Sequence, residues 1–306
     1  MRVLLAGATG AIGRPLIRGQ KQNGHSLFCL ARSAESTRIL AEMGAEAVIG
    51  DALDADSVRA AIAQVRPDAV INELTSLPRH YTPAEMKSAA ERDSRVRREG
   101  NVNLLAGMRE SGVRRYILQA SGFWYAPGAG LADESSSLAV DATPGIAASA
   151  YTYVELESTA FRTSKINCVA MRYGFFYGPG TWYTSTGDMG EQVRQRQVPI
   201  IGAGQGVWSF VHIDDAASAT VAALECAPGV YNIVDDYPSQ QCVWVPAFAR
   251  ACGAPEPFQI TEREALATSG ADSVYYATRL RGASNKKARN ELDFRPRPLE
   301  WLEKGH

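Results

Sequence analysis

Three glycines, Gly7, Gly10 and Gly13, recur at every third residue in the opening run MRVLLAGATGAIGRPL. The chemistry this spacing serves is pyrophosphate binding. Glycine lets the backbone turn tightly and lets phosphate oxygens approach the main chain. A helix N-terminus behind the turn then offers unpaired N–H groups and a partial positive charge. The flanks agree with that use. Val3-Leu4-Leu5-Ala6 is a short apolar run suited to a buried strand, and an amphipathic stretch runs from Ile12 to about Gln22. Strand, glycine turn and helix in this order form the first half of a dinucleotide-binding βαβ unit. The cofactor-binding residues read from it are Gly7, Thr9, Gly10, Ala11, Ile12 and Gly13. Elsewhere in a chain, such a triplet is equally an ordinary tight turn.

The end of the second predicted strand bears on which dinucleotide is held. NAD selectivity usually rests on an acidic residue there, which accepts from both ribose hydroxyls. Here Leu27-Phe28-Cys29-Leu30 leads into Ala31-Arg32-Ser33, so the carboxylate is missing. Arg32 can pair with a 2′-phosphate and Ser33 can donate to it, which favours NADP over NAD. Arg14 and Arg38 could add positive charge, although Arg38 by itself reads better as a solvated surface group.

These residues need a parallel sheet to hold them. Strand-like runs occur at Val3–Ala6, Ser26–Leu30, Ala47–Ile49, Ala69–Asn72, Tyr116–Gln119 and Cys168–Arg172. Helical segments alternate with them around Ile12–Gln22, Ser36–Met43, Ala55–Gln64, Arg92–Glu110 and Tyr151–Thr163, with Gly24, Gly44 and Gly112 marking helix ends. The pattern predicts an α/β fold, a doubly wound parallel Rossmann sheet binding its ligand at the carboxyl ends of the strands. After about Tyr173 the pattern changes. Residues 174–206 are rich in glycine, proline and aromatics. Short strands at Ser209–Ile213 and Gly229–Val234 then flank a helix over Asp215–Glu225, and both are apolar enough to rejoin the first sheet. From Pro238 onward the chain reads as irregular and mostly helical. The expected division is a dinucleotide-binding unit of residues 1–173 plus about 207–235, and a smaller substrate-binding unit of 174–206 and 236–306.

Composition excludes several classes. The 306 residues can bury a full core, and the formal net charge of −1 supplies no basic excess for nucleic acid or an anionic membrane. No long apolar span occurs, and the first strand begins at once, so neither a membrane helix nor a signal peptide is expected. Cys29, Cys168, Cys226, Cys242 and Cys252 form no CxxC pattern, and this odd, scattered set fits free thiols in a reducing cytoplasm. His25, His80, His212 and His306 are too dispersed to suggest a metal, and none is expected.

With these residues in view, the chain resembles the extended or atypical short-chain dehydrogenase/reductase superfamily, in its NAD-dependent epimerase/dehydratase branch. The likeness rests on Gly7-Ala8-Thr9-Gly10-Ala11-Ile12-Gly13, Gly50-Asp51, Asn103-Leu104-Leu105 and Ser121 to Tyr125. Further along it rests on Arg172-Tyr173-Gly174-Phe175-Phe176-Tyr177-Gly178-Pro179-Gly180 and Phe210-Val211-His212-Ile213-Asp214-Asp215. The resemblance implies a Rossmann domain with a smaller substrate-binding domain near the C-terminus, and a homodimer formed through the long helices around 92–110 and 151–163. It places Asp51 and Ala52 at the adenine and Leu74 and Thr75 near the ribose side of the cofactor. It also implies that Asn285 in Gly282-Ala283-Ser284-Asn285-Lys286-Lys287-Ala288 caps a helix.

Members of that superfamily that transfer hydride use a serine after the fifth strand, with a tyrosine and a lysine four residues beyond it. The serine orients the substrate, the tyrosine moves the proton, and the lysine lowers the phenol's pKa. Ser121 matches the serine, and Tyr151 is the candidate for the tyrosine. The lysine is missing: Glu155 stands four residues after Tyr151, and Glu157 four after Tyr153. A carboxylate there raises a phenol's pKa rather than lowering it. Glu73 and the two helix glutamates are candidate carboxylates, and Tyr125, Tyr177 and Tyr183 candidate phenols, with Tyr177 more simply a packing residue. Phe123, Trp124, Phe175, Phe176, Trp182 and Tyr183 fall in loops near the strand ends and are expected to line an apolar pocket for a small-molecule substrate. The expected function is NADP-dependent oxidation or reduction of a small, largely apolar carbonyl or imine. The alternatives are a non-redox epimerase, dehydratase or isomerase, and a nucleotide-sensing protein without turnover.

Overall fold

The structure, a computed structural model, describes residues 1–302; His306 lies outside the described residues. The first half alternates strand and helix: β1 (Arg2–Ala6), α1 (Gly13–Gln22), β2 (Ser26–Ala31), α2 (Ala34–Glu42), β3 (Glu46–Ile49), α3 (Ala55–Val65), β4 (Ala69–Asn72), α4 (Pro83–Ser111), β5 (Arg115–Ser121), α5 (Pro144–Arg162) and β6 (Asn167–Tyr173). The helix boundaries have local causes. The Asp54 carboxylate accepts from the amides of Asp56 and Ser57 to start α3. Thr82 caps α4 ahead of Pro83, and Gly112 ends it in the left-handed region at φ 74°.

The rest of the chain continues as β7 (Phe175–Tyr177), α6 (Asp188–Arg194), β8 (Ile200–Ile201), β9 (Val207–Trp208), β10 (Phe210–His212), α7 (Ile213–Ala222), β11 (Gly229–Ile233), β12 (Ser239–Gln240), α8 (Gln241–Ala251), β13 (Gln259–Ile260), α9 (Glu262–Thr268), α10 (Gly270–Thr278) and α11 (Lys286–Glu291). Seven strands form one parallel sheet in the order β11-β6-β5-β4-β1-β2-β3. The chain winds outward from β1 to β3, crosses to β4, and winds the other way to β11. The crevice above that switch is where such sheets bind ligands.

One late strand departs from expectation. β11 joins the sheet beside β6, but β10 does not, pairing instead in parallel with β7, Phe210 opposite Phe175. The edge next to β6 is already taken by β11, and the neighbours of β10 are aromatic. Phe175, Tyr183, Trp208, Phe210, Trp244, Phe248 and Trp301 pack into a core of their own. The sheet carries two other cores, one on each face. Alternate residues divide between them: Leu5, Ile71 and Met171 face α1 and α7, whereas Leu4, Val70 and Ala170 face α3 to α5. Among the described residues no helix is long and apolar enough to cross a membrane.

Candidate active site

The sheet order assigns the crevice its two ends. In sheets of this order the turn after β1 is where phosphates are held, and β2 and β3 lie on the side of it that takes an adenosine. The other half of a dinucleotide then falls over β4, β5 and β6, which end at or beside Glu73, Ser121 and Tyr173.

The cradle fits a pyrophosphate. Gly7 sits at φ +91°, and a Cβ there would stand 2.2 Å from the Glu73 carbonyl oxygen. A Cβ on Gly13 would stand 1.7 Å from that of Ala8. Both glycines are therefore demanded by the chain itself. Gly10 is different: its Cβ would meet only the Gly7 oxygen, at 3.2 Å, and the residue is accessible between exposed Thr9 and Ala11. The chain itself asks less for glycine there than at Gly7 and Gly13. Behind the turn, Ile12 gives α1 no side-chain cap, and the first turn has no acidic residue. In the first turn of α1 the Gly13 amide donates to the Gly10 carbonyl, Pro15 has no N–H and Leu16 donates to the Ile12 carbonyl, which leaves the Arg14 amide for an anion.

At the β2 end Arg32 and Ser33 are both exposed. Among the described residues Arg32 has no acidic partner. Ser33 starts α2, its hydroxyl accepting from the Ser36 amide. Arg38 pairs with Glu42 at 2.6 Å, the surface role. Asp51 accepts from the Leu53 amide at 2.9 Å, while the capping of α3 falls to Asp54. Ala52 is 9% exposed, and its carbonyl accepts from the Asn103 amide group at 2.9 Å.

The ends of β4, β5 and β6 carry buried polar side chains. Asn72 accepts from the Leu74 amide at 3.1 Å and donates to the Tyr116 hydroxyl at 2.7 Å, which fixes the turn through Leu74 and Thr75. Sequence reasoning did not single out Asn72 for this. Glu73 is 2% exposed, its Oε1 accepts from the Tyr173 hydroxyl at 3.0 Å, and its Oε2 has no partner. Burial pushes its carboxyl up to about 8, partly offset by that hydrogen bond and by Arg97. Ser121 ends β5 with its hydroxyl enclosed and unpartnered. Orphaned buried polar atoms are rare, and these two belong to the ends of neighbouring strands.

The structure does not bring Tyr151 to Ser121. Tyr151 is 54% exposed on the outer side of α5. Two residues further along a helix lies on nearly the opposite side, and Tyr153 turns inward with 6% exposure. Its ring centroid lies 5.5 Å from that of Trp124 and 5.2 Å from the Arg97 guanidinium. The signal was present in the sequence, because Ile146, Ala150, Tyr153, Leu156 and Ala160 follow helical spacing. No lysine or arginine of α5 attends either ring. Arg97 comes from α4 and is held by Asp93 at 2.7 Å and Gln119 at 2.8 Å. Burial therefore prevails over its charge and pushes the Tyr153 phenol up to about 12. Glu155 pairs with Arg98 on the surface, and Glu157 is locked to buried Arg172 through two hydrogen bonds of 2.8 and 2.7 Å.

Five of the six expected pocket aromatics gather on one side. Phe123 stacks on Phe175 with centroids 4.0 Å apart, and Phe175 on Trp208 at 4.3 Å. Trp124 donates to the Tyr276 hydroxyl at 2.9 Å, and Tyr183 is buried behind Phe175. Trp182 stacks on Tyr81 at 4.6 Å, and Asp188 accepts from the Tyr81 amide, so the loop after β4 is clasped to α6. Phe176 is the exception. It alternates to the other face of β7 and packs against Tyr173 at 5.2 Å. Tyr177 is buried and donates to the Pro298 carbonyl, the packing role. Asn285 stands at the N-cap position of α11 without capping it; its side chain donates to the Val234 carbonyl and to Asp236.

A doubly wound sheet with a glycine cradle at its switch point is the architecture of a Rossmann enzyme that binds a nicotinamide dinucleotide. The chain belongs to the NAD dependent epimerase/dehydratase family, which its residues 3–233 match. It is 37% identical over 304 residues to a 3-diazoavenalumate denitrifying reductase of a Streptomyces species, covering 98% of each chain. A 2-alkyl-3-oxoalkanoate reductase of Stenotrophomonas maltophilia is 26% identical over 83% of this chain and 77% of its own. The fold is shared with the UDP-glucose 4-epimerase of Thermus thermophilus in complex with NAD, at a TM-score of 0.71 and 22% identity over 98% and 95% of the two chains.

Proposed function

We propose that the chain is an NADPH-dependent reductase of a small aromatic substrate, and that the group it reduces accepts hydride without a proton from the protein. The cofactor reading is supported by Arg32, exposed and without an acidic partner among the described residues, where NAD-selective relatives of this architecture carry a carboxylate. When bound, the reduced nicotinamide supplies the hydride. The residues of the cradle hold the pyrophosphate, Ser121 positions the substrate, and Phe123, Trp124 and Trp182 offer aromatic faces to it.

The observation that carries the substrate reading is the state of α5. Its inward phenol, Tyr153, is pushed up to about 12 and is attended by no lysine. A ketone or imine takes a proton along with the hydride, whereas replacing an aryl diazonium group by hydride releases dinitrogen and takes none. The 37% identical relative is named for reducing a diazo compound. A carbonyl or imine substrate is the second reading, favoured by the 2-alkyl-3-oxoalkanoate reductase and by the protonated state of Tyr153 at neutral pH. The test is NADPH consumption against a panel of aryl diazonium salts, aldehydes, ketones and imines, with dinitrogen collected. Turnover of diazonium salts with one dinitrogen per NADPH is expected. Turnover of carbonyls alone overturns the substrate reading. NADH consumed as readily as NADPH overturns the cofactor reading.

We infer further that two copies pair through α4 and α5. The support is an outward stripe of apolar residues on these helices, with Val102, Tyr151, Val154 and Phe161 each at least 40% exposed. Light scattering at the mass of one chain would refute it. Free thiols at Cys29 and Cys168, both buried in the sheet, fit a cytoplasmic setting.

A further inference from the structure

Glu73 ends β4 as a carboxyl where a carboxylate has little support. A buried carboxylate ordinarily collects two or three donors or a contacting cation. Glu73 shares one hydrogen bond, with Tyr173, and its second oxygen has none. The hydroxyl of Tyr173 also lies 2.7 Å from Thr220 Oγ1, which lies 2.7 Å from the Ala216 carbonyl oxygen. This chain of groups has two complete proton arrangements. With Glu73 neutral, its carboxyl donates to Tyr173, Tyr173 donates to Thr220, and Thr220 donates to the Ala216 carbonyl. With Glu73 ionised, Thr220 donates to Tyr173 and Tyr173 to Glu73. The Glu73–Tyr173 and Tyr173–Thr220 contacts serve both states, Thr220 giving up its bond to the Ala216 carbonyl in the ionised one, so the carboxyl can lose and regain a proton inside a packed core without stranding a hydroxyl.

We propose that Glu73 is the counter-charge of the oxidised cofactor, neutral in the free protein and with NADPH bound, and ionised when the positively charged ring of NADP⁺ occupies the β4–β6 end of the crevice. This rests on the nicotinamide reading given above. In the binding equilibrium the protonated protein and NADP⁺ form a complex holding a Glu73 carboxylate, and one proton passes to solvent. The neutral ring of NADPH calls for no such release.

The other groups facing Glu73 do not compete for that proton. Tyr173 on β6, Tyr116 on β5 and Tyr153 on α5 are phenols held above their ordinary value by burial, so they stay neutral. Arg97 on α4 stays charged beside Asp93. Thr220 on α7 does not ionise.

Titration calorimetry of NADP⁺ and of NADPH into the full chain, at about pH 7 in two buffers of different ionisation enthalpy, counts the protons. The 2′-phosphate is common to both ligands and cancels. About one more proton is expected to leave with NADP⁺ than with NADPH, and NADP⁺ affinity should rise by up to about tenfold per pH unit below pH 8 while NADPH affinity lags. In Glu73→Gln the difference between the two cofactors disappears while both still bind. Thr220→Val removes the acceptor that Tyr173 needs when Glu73 is neutral, so it should reduce the release. Equal proton counts for the two cofactors in the unaltered protein overturn the proposal, and so does a release untouched by Glu73→Gln. Failure of both cofactors to bind overturns the nicotinamide reading instead.

Discussion

The two halves of the crevice are built from different materials. The cradle half consists of backbone: three glycines, an uncapped helix start and exposed side chains at Thr9, Arg32 and Ser33. The nicotinamide half consists of buried side chains brought from far apart in sequence. Glu73 meets Tyr173 across 100 residues, and Trp124 meets Tyr276 across 152. On the function proposed above, holding a dinucleotide is a local property of the first turn of the chain. What is done with it depends on contacts that exist only once the sheet has closed.

Glycine substitutions break this contrast most sharply. Gly13→Ala drives a Cβ into the Ala8 carbonyl and should destabilise the fold by about 3 kcal/mol in urea denaturation. Gly10→Ala should cost no more than about 1 kcal/mol of stability, yet lower NADPH affinity by tenfold or more, on the order of 1.4 kcal/mol. A Gly10 variant that binds NADPH normally would remove the argument that a ligand, not the chain, demands that glycine.

The buried half should show itself in the pH dependence of stability. Glu73 keeps its proton up to about pH 8 in the native state, against about 4.5 when unfolded. Folding therefore takes up a proton between those values. The stabilisation is full below about pH 4.5 and is lost as pH rises towards 8. Asp235, pushed up to about 7 by burial, adds a slope of the same sign. Glu73→Gln should flatten its share, gaining on the order of 3 kcal/mol relative to the unaltered protein between pH 5 and 8. Parallel stability curves would show that the carboxyl is not buried neutral.

Smaller effects sharpen the comparison from each side. Arg32→Ala should weaken NADPH binding about tenfold and leave NADH binding unchanged, separating the 2′-phosphate from the rest of the cradle. Tyr151→Phe should change stability by less than about 0.5 kcal/mol and leave turnover unchanged. Tyr153→Phe should also leave turnover of diazonium salts unchanged, because that reaction takes no proton from the protein, and lower turnover of a carbonyl, which does. If Tyr151→Phe abolishes turnover, α5 is read from the wrong side.

Much of this was legible beforehand. Six of the seven sheet strands lie where alternating apolar runs place them, and the seventh, β11, joined as its residues suggest. The glycine turn between β1 and α1 was legible for the same reason: period and glycine spacing are local. The choice of Tyr151 over Tyr153 went astray because it followed motif spacing, although the helical phase of Ile146, Ala150 and Leu156 already pointed inward at Tyr153. Phe176 was grouped with its neighbours although strand alternation turns it away. β10 was out of reach, because nothing local says that β11 occupies the edge beside β6 first.

By itself, then, the sequence determined the doubly wound sheet, the glycine turn after β1 and the absence of a carboxylate after β2, all of which depend on residues close together in the chain. Tertiary structure alone decided the burial of Glu73, the inward phenol at Tyr153 and the partner of β10. Each depends on how completely water is excluded and on which distant group fills the space, and neither quantity exists before the chain has packed.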